Sequence, residues 1–266
     1  MLHVLALLAS TTVDPIVSTD WLQAHLNDPQ VRVIFIGDRG TYDRAHIPGA
    51  RFIDHMDTVG SEHRPLAHDA LARVLAKAGA EDGAHVILYG DSPMATGWLY
   101  MTLAIIGHGA ETSLLDGGIA LWESEKRPTS NKTPADGSGR LTVRPATDVM
   151  VDGAWVRSHL ESPQIRILDV RTDEEWKQGH LPGATLVYWQ DLFADRKTLK
   201  FKPLDDIRAL FARAGVSANQ QVVTYCAVGM RASLMYFAAR ATGVPARVYV
   251  GSMQDWRRES SNPLVR

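Results

Sequence analysis

The chain has 266 residues, 45% of them hydrophobic and 22% charged, with a formal net charge of -2 and a single cysteine. That length and balance describe a well-packed folded protein with room for two ordinary domains. Near-neutral charge gives no electrostatic argument for nucleic acid or an anionic membrane surface as partner, and one cysteine excludes an intramolecular disulfide framework and any cysteine-cluster metal site.

The opening stretch Met1 to Ser10 is apolar but has no Lys or Arg in front of it and is too short to span a bilayer. It reads as a tail, disordered or packed on the surface. The expected compartment is cytoplasmic, with the apolar start leaving export open.

Beyond the tail the chain is written twice. A shift of 134 positions lays Trp21 on Trp155, His25-Leu26 on His159-Leu160, and Ala45-His46-Ile47-Pro48-Gly49-Ala50 on Gly179-His180-Leu181-Pro182-Gly183-Ala184. A net insertion moves the shift to 136, pairing Tyr89 with Tyr225 and Tyr100 with Tyr236, before it returns to 134 for Gly117 with Gly251 and Trp122 with Trp256. A period this long means duplicated domains rather than a solenoid. We assign residues 14–127 to copy one, 128–146 to a linker and 147–266 to copy two. The linker assignment follows from Pro128 to Gly139, which is rich in Pro, Thr, Ser, Asn and Gly and lacks hydrophobic periodicity.

Copy two alternates helices and strands. In chain order the pattern predicts a short helix over Trp155 to Leu160, a buried strand over Ile165 to Val170, a helical turn over Asp173 to Lys177, and a turn at His180-Leu181-Pro182-Gly183 before a strand over Ala184 to Tyr188. Apolar Leu204, Ile207, Leu210 and Phe211 mark an amphipathic helix over Leu204 to Ala214, ended by Gly215. Strand Gln221 to Tyr225, helix Ala232 to Ala241 and strand Ala246 to Val250 follow. The fold class is α/β, each copy a mainly parallel sheet flanked by helices. Ligands in such folds collect beyond the carboxyl ends of the strands.

Cys226 stands at one of those ends, after the β-branched run Val222-Val223-Thr224 and Tyr225. A loop closing over a helix N-terminus aims unpaired N–H groups and the positive end of the helix dipole into its bowl, which stabilises a thiolate and should lower its pKa below the free value of about 8.5. A buried structural thiol is the alternative; the strand–loop–helix context favours a reactive one. The loop residues Ala227, Val228, Gly229, Met230, Arg231 and Ala232 are therefore the candidate active-site loop. Gly229 lets the backbone curl and Arg231 adds a cation. Copy one has Gly90 opposite Cys226, Phe35 opposite Asp169 and Gly37 opposite Arg171. It cannot perform thiol chemistry, and either lost an activity or forms a wall of the site in copy two.

Other residues carry weaker signals. Asp169 and Arg171 form a strand-end pair that more often braces structure than does chemistry. His180 shares its turn with His46 of the copy without a thiol, which argues against a Cys–His dyad. His55, His63 and His68 fit no common zinc spacing. Arg64-Pro65-Leu66, Met94 and Trp98 either face Cys226 from copy one or belong to the core. No phosphate-binding Gly/Lys loop or nicotinamide fingerprint occurs, so no cofactor is expected.

The Leu168-Asp169-Val170-Arg171 strand end, the Glu175-Trp176 pair, the Gly179 to Ala184 turn and the Tyr225-Cys226 loop, repeated in tandem, resemble two-domain rhodanese-type sulfurtransferases from about Val17 to Pro263. The resemblance implies a persulfide on Cys226, formed from thiosulfate or 3-mercaptopyruvate and passed to a thiol or cyanide. It also implies a small-molecule donor and acceptor, with a thioredoxin-like reductant as further partner; internal pseudo-symmetry lets a monomer suffice. Ala227 and Val228 match the loop pattern of neither thiosulfate- nor mercaptopyruvate-using members. A substrate-holding arginine of many members aligns with Glu175. Arg231 then either contacts the donor's anion or has a structural role, capping the loop by binding backbone carbonyls or pairing with Asp169 or Glu175. Two other classes remain: a non-catalytic binding module, and a cysteine-dependent phosphatase or arsenate reductase, whose loops place one residue more between cysteine and arginine.

Overall fold

The computed structural model describes residues 13–266; the Met1 to Ser10 tail lies outside the described residues. Among the described residues no helix is long and apolar enough to cross a membrane.

Copy one contains strands β1 (Ile16–Val17), β2 (Val31–Ile36), β3 (Arg51–Ile53), β4 (His85–Gly90) and β5 (Thr112–Leu115), with helices α1 (Thr19–His25), α2 (Arg39–Arg44), α3 (His68–Lys77), α4 (Pro93–Ile105) and α5 (Gly118–Ser124). Copy two contains β6 (Met150–Val151), β7 (Ile165–Asp169), β8 (Thr185–Leu186), a small hairpin of β9 (Phe193–Asp195) and β10 (Lys200–Phe201), then β11 (Gln221–Tyr225) and β12 (Ala246–Tyr249). Its helices are α6 (Gly153–Ser158), α7 (Asp173–Lys177), α8 (Leu204–Arg213), α9 (Met230–Ala241) and α10 (Ser252–Trp256). The two five-stranded sheets have the same order, β1-β5-β4-β2-β3 and β6-β12-β11-β7-β8, and every pairing within them is parallel.

Strand alternation sorts side chains into layers. Ile34, Ile36, Val86 and Leu88 of copy one face inward, as do Leu168, Val222 and Val248 of copy two, and all join one continuous core. Val33, Phe35, Ile87 and Tyr89 face an outer layer beside Leu22, Tyr42 and Trp122. Ile167, Val223, Tyr225 and Tyr249 do the same beside Val156 and Trp256.

The inner layer is built around α4 and α9. Every residue of α4 from Ala95 to Ile105 is buried, which is the mark of a helix with no solvent face. Gly97 permits the approach: a Cβ there would lie 2.5 Å from the Leu234 Cα of α9. One turn along, Tyr100 packs on Tyr236 and edge-on against Phe237, with ring centroids 6.1 and 4.9 Å apart.

Several local expectations need revision. The strand expected over Ala184 to Tyr188 is only Thr185–Leu186, because the chain turns at Tyr188 into a 3₁₀ segment over Trp189–Leu192. Helix α9 begins two residues before the expected Ala232. The β9–β10 hairpin has no counterpart in the sequence reading. The 128–146 stretch has no helix or strand, yet it is fastened to copy one: Ser130 pairs with His46 in both directions at 2.8 Å, and Arg144 and Ala146 donate to Ile106 and Ile105 at 2.9 Å. Those backbone donors and buried Leu141 make it a strap rather than a free tether.

Each copy also lays a hairpin over the other. In copy two, the Phe201 N–H at the β10 end donates to Asp116 of copy one at 2.8 Å. In copy one, Val59 and Pro65 bridge antiparallel, and the turn between them reaches copy two through Glu62 to Arg258 at 2.9 Å and Arg64 to Asp255 at 3.6 Å.

Candidate active site

Cys226 follows β11 directly and is 1% exposed. The loop ahead of α9 is short because Gly229 adopts φ 94, a left-handed turn that an L side chain rarely takes, with a Cβ blocked by the Val250 carbonyl at 2.8 Å. That turn brings the Gly229 N–H to 3.1 Å from Cys226 Sγ. The first N–H groups of α9, on Met230, Arg231 and Ala232, are the ones a helix leaves without an internal acceptor.

Helix α10 orients the loop from behind. The Cys226 N–H donates to Ser252 Oγ at 3.0 Å, and the Ser252 hydroxyl donates to the Tyr249 carbonyl at 2.9 Å. The free N–H groups of Met253 and Gln254 donate to the Cys226 and Ala227 carbonyls, each at 3.1 Å. In a trans peptide the N–H points opposite its carbonyl, so these bonds turn the Ala227 and Val228 N–H groups away from α10. Ser252 holds φ 52, the value that Gly118 holds at the matching place in copy one. Sequence reasoning missed Ser252; its alignment with a glycine was the available signal.

Arg231 is fixed by Glu175. Its two terminal nitrogens donate to the two carboxylate oxygens at 2.6 and 2.8 Å, a bidentate fork. The Arg231 hydrogen bond holds the Glu175 carboxyl down at about 2, well below its ordinary range. Glu175 in turn raises the Arg231 pKa, with the Cys226 sulfur adding to the rise. Glu175 is also the third residue of α7 in a reciprocal cap: Thr172 N–H donates to its carboxylate at 3.1 Å, and its own N–H donates to Thr172 Oγ1 at 3.2 Å.

Asp169 and Arg171 serve a different place. Arg171, 3% exposed, forks onto Asp169, 0% exposed, with contacts of 2.6 to 3.0 Å, and donates to the Gly179 carbonyl at 2.8 Å. Tyr225 hydroxyl donates to Asp169 at 2.6 Å and accepts from the Leu181 N–H at 3.1 Å. The pair therefore holds the Gly179–Leu181 turn against the strand that carries Cys226. Burial, with the Asp169 charge beside it, pushes the Tyr225 phenol up and keeps it protonated.

His180 stacks on Trp176 with centroids 3.4 Å apart and pairs through its backbone with Val265, while His46 stacks on Tyr42 at 3.9 Å and is fully buried. Neither bonds to Cys226. His63 and His68 are exposed and His55 sits beside Asp54. Trp98 belongs to the core, its indole N–H donating to Thr58 at 2.8 Å. Arg64, Pro65 and Leu66 line a cavity with Val250, which adjoins the cysteine loop at Gly229.

The matching place in copy one is closed to a thiol. At Gly90 a Cβ would lie 1.9 Å from the Ile36 carbonyl oxygen. In place of the Asp169–Arg171 pair stands an aromatic cluster of Phe35 with Tyr42, Phe52 and Tyr89. The pocket there is walled by Tyr89, Asp91 and Thr96, with Leu199 and Phe201 from the copy-two hairpin.

Two like parallel sheets, one ending in a thiol set in a loop of backbone donors and the other ending in glycine, define a tandem α/β protein with a thiol in one half alone. The rhodanese-like domain model matches residues 18–125 and 152–259, and the chain belongs to that family. It is similar to a thiosulfate sulfurtransferase of Azotobacter vinelandii, 27% identical over 91% of this chain and 94% of the relative. It is also similar to a 3-mercaptopyruvate sulfurtransferase of Escherichia coli K12, 25% identical over 93% and 96%. The crystal structure of YnjE superposes with a TM-score of 0.85 at 24% identity, covering 96% of this chain and 69% of that one.

Proposed function

We propose that the protein is a sulfurtransferase that carries sulfane sulfur as a Cys226 persulfide. The observation that carries this reading is the Gly229 N–H 3.1 Å from Sγ, in a loop that Ser252 and α10 hold open toward the α9 N-terminus. The Cys226 thiolate attacks the outer sulfur of a donor. With thiosulfate, the new Sγ–S bond forms as the S–S bond breaks, and its electron pair leaves on sulfite. An acceptor thiolate or cyanide then attacks the outer sulfur of the persulfide and returns Cys226 as thiolate. The loop donors that stabilise one anion stabilise the other, so the loop need not rearrange between steps. The names of the similar proteins point to thiosulfate and 3-mercaptopyruvate as the donors to try. A thioredoxin-like reductant is the proposed partner for turnover, the active unit is a monomer, and the proposed compartment is the cytoplasm.

The test is intact-protein mass after exposure to each donor, with wild type and Cys226→Ser. The expected result is a gain of about 32 Da, one sulfur, in wild type alone, as a covalent intermediate requires. No gain with either donor refutes the proposal.

A further inference from the structure

We propose that Glu175 sets the charge class of the sulfur donor: by holding Arg231 in an ion pair it leaves the approach to Cys226 without an uncompensated arginine, and the site takes sulfur from singly charged donors in preference to the thiosulfate dianion. This rests on the persulfide reading above and deepens it.

The geometry carries the inference. Both terminal nitrogens of Arg231 meet both oxygens of Glu175, so the two formal charges cancel over 2.6 to 2.8 Å. Arg171, beneath the site, is enclosed by Asp169 and the Gly179 carbonyl, and Arg64, which lines the cavity adjoining the cysteine loop, is paired with Asp255 at 3.6 Å. What remains to attract an anion is the backbone: the Gly229 N–H and the head of α9. That suits two negative charges better than three. Attack on thiosulfate brings the thiolate charge together with two more, and sulfite departs with two. Attack on 3-mercaptopyruvate adds only the donor's carboxylate: the Sγ–S bond forms, the C–S bond breaks, and its electron pair takes up the thiol proton at carbon to give pyruvate.

Glutamine at position 175 separates charge from fold. It can still serve as third residue of the reciprocal cap with Thr172, and it leaves the Arg231 cation unneutralised. Persulfide formation is followed in the full chain with thiosulfate and with 3-mercaptopyruvate, for wild type, Glu175→Gln and Thr172→Ala. Glu175→Gln should raise the thiosulfate-to-mercaptopyruvate rate ratio about tenfold at low salt and less at high salt, as a unit charge in a partly screened site requires. Thr172→Ala, which removes a cap and keeps the charge, should leave the ratio unchanged. A ratio unmoved by Glu175→Gln, or moved equally by Thr172→Ala, overturns the inference. Wild type supplies a check that needs no variant: its thiosulfate rate should hold or rise with ionic strength, and a steep fall reveals a free cation and overturns it too. Wild type that forms no persulfide with either donor defeats the function proposed above, a result distinct from these.

Discussion

Replacing Gly97 by alanine tests whether the two copies form one packed body. A Cβ at that position would lie 2.5, 2.7 and 2.8 Å from Leu234 Cα, N and Cβ, so the obstacle is mostly the backbone of α9, with no flexible side-chain end to move aside. Helices α4 and α9 would have to part by roughly 1 Å to restore ordinary contact, and a close-packed interface loses much of its dispersion attraction over such a gap. Overpacking of this kind costs typically about 1–3 kcal/mol, and the upper end applies because backbone meets side chain; the helix-propensity gain of about 1 kcal/mol for Gly to Ala offsets only part. The expected net loss is about 2 kcal/mol, or roughly 4–8 °C in Tm for a chain of this size. Thermal unfolding by circular dichroism measures it, with persulfide formation assayed on the same sample. Activity should fall as well, because α9 carries the cysteine loop on its N-terminus. A Gly97→Ala protein at least as stable as wild type would show that the helices have slack here and refute the argument.

Three further outcomes follow from the same geometry. Asp169→Asn leaves the Arg171 guanidinium buried beside a neutral amide, and breaking such a pair costs about 3–5 kcal/mol; urea unfolding checks it, and a change under about 0.5 kcal/mol means the turn is held by something else. Glu175 has a depressed folded-state pKa of about 2 against an ordinary 4.5, so its contribution is complete above pH 4.5 and lost as pH falls toward 2. After allowance for solvent screening it is worth roughly 1–2 kcal/mol. The stability difference between wild type and Glu175→Gln, measured from pH 6 down, should therefore shrink across that window, and a constant difference contradicts the assignment. Ser252→Ala removes the acceptor of the buried Cys226 N–H and keeps a left-handed residue in place, so it should cost about 1–3 kcal/mol and slow sulfur uptake; unchanged uptake would show that α10 alone orients the loop.

The β-branched run before Cys226, the repeat and the turn ahead of β8 were readable because each is a local pattern, and the repeat carried one sheet onto the other. The Arg231–Glu175 fork was open between a substrate contact, a cap on backbone carbonyls and two carboxylates. Its partners sit on α7 and α9, 56 residues apart, and only tertiary folding chooses between Asp169 and Glu175. Thr172-Glu175 at cap spacing was the overlooked sign that this glutamate faces back toward the helix start. The β9–β10 hairpin was invisible for another reason: its strands are two or three residues long and irregular in register, too short for alternation to register. The 128–146 strap looked like a tether because its composition suits one. Its order comes from backbone bonds to copy one that composition does not report.

The burial of α4 on all sides bears on how the protein is made. Copy one is synthesised first, yet the surface that covers α4 is α9, which begins 125 residues after α4 ends. A nascent chain that has completed its first sheet still shows a predominantly apolar helix to solvent until the second copy emerges, and such exposed surface invites aggregation and chaperone capture. At translation speeds of about 5–20 residues per second that interval lasts on the order of ten seconds. The half without a thiol thus relies on the half that bears one to cover its own central helix.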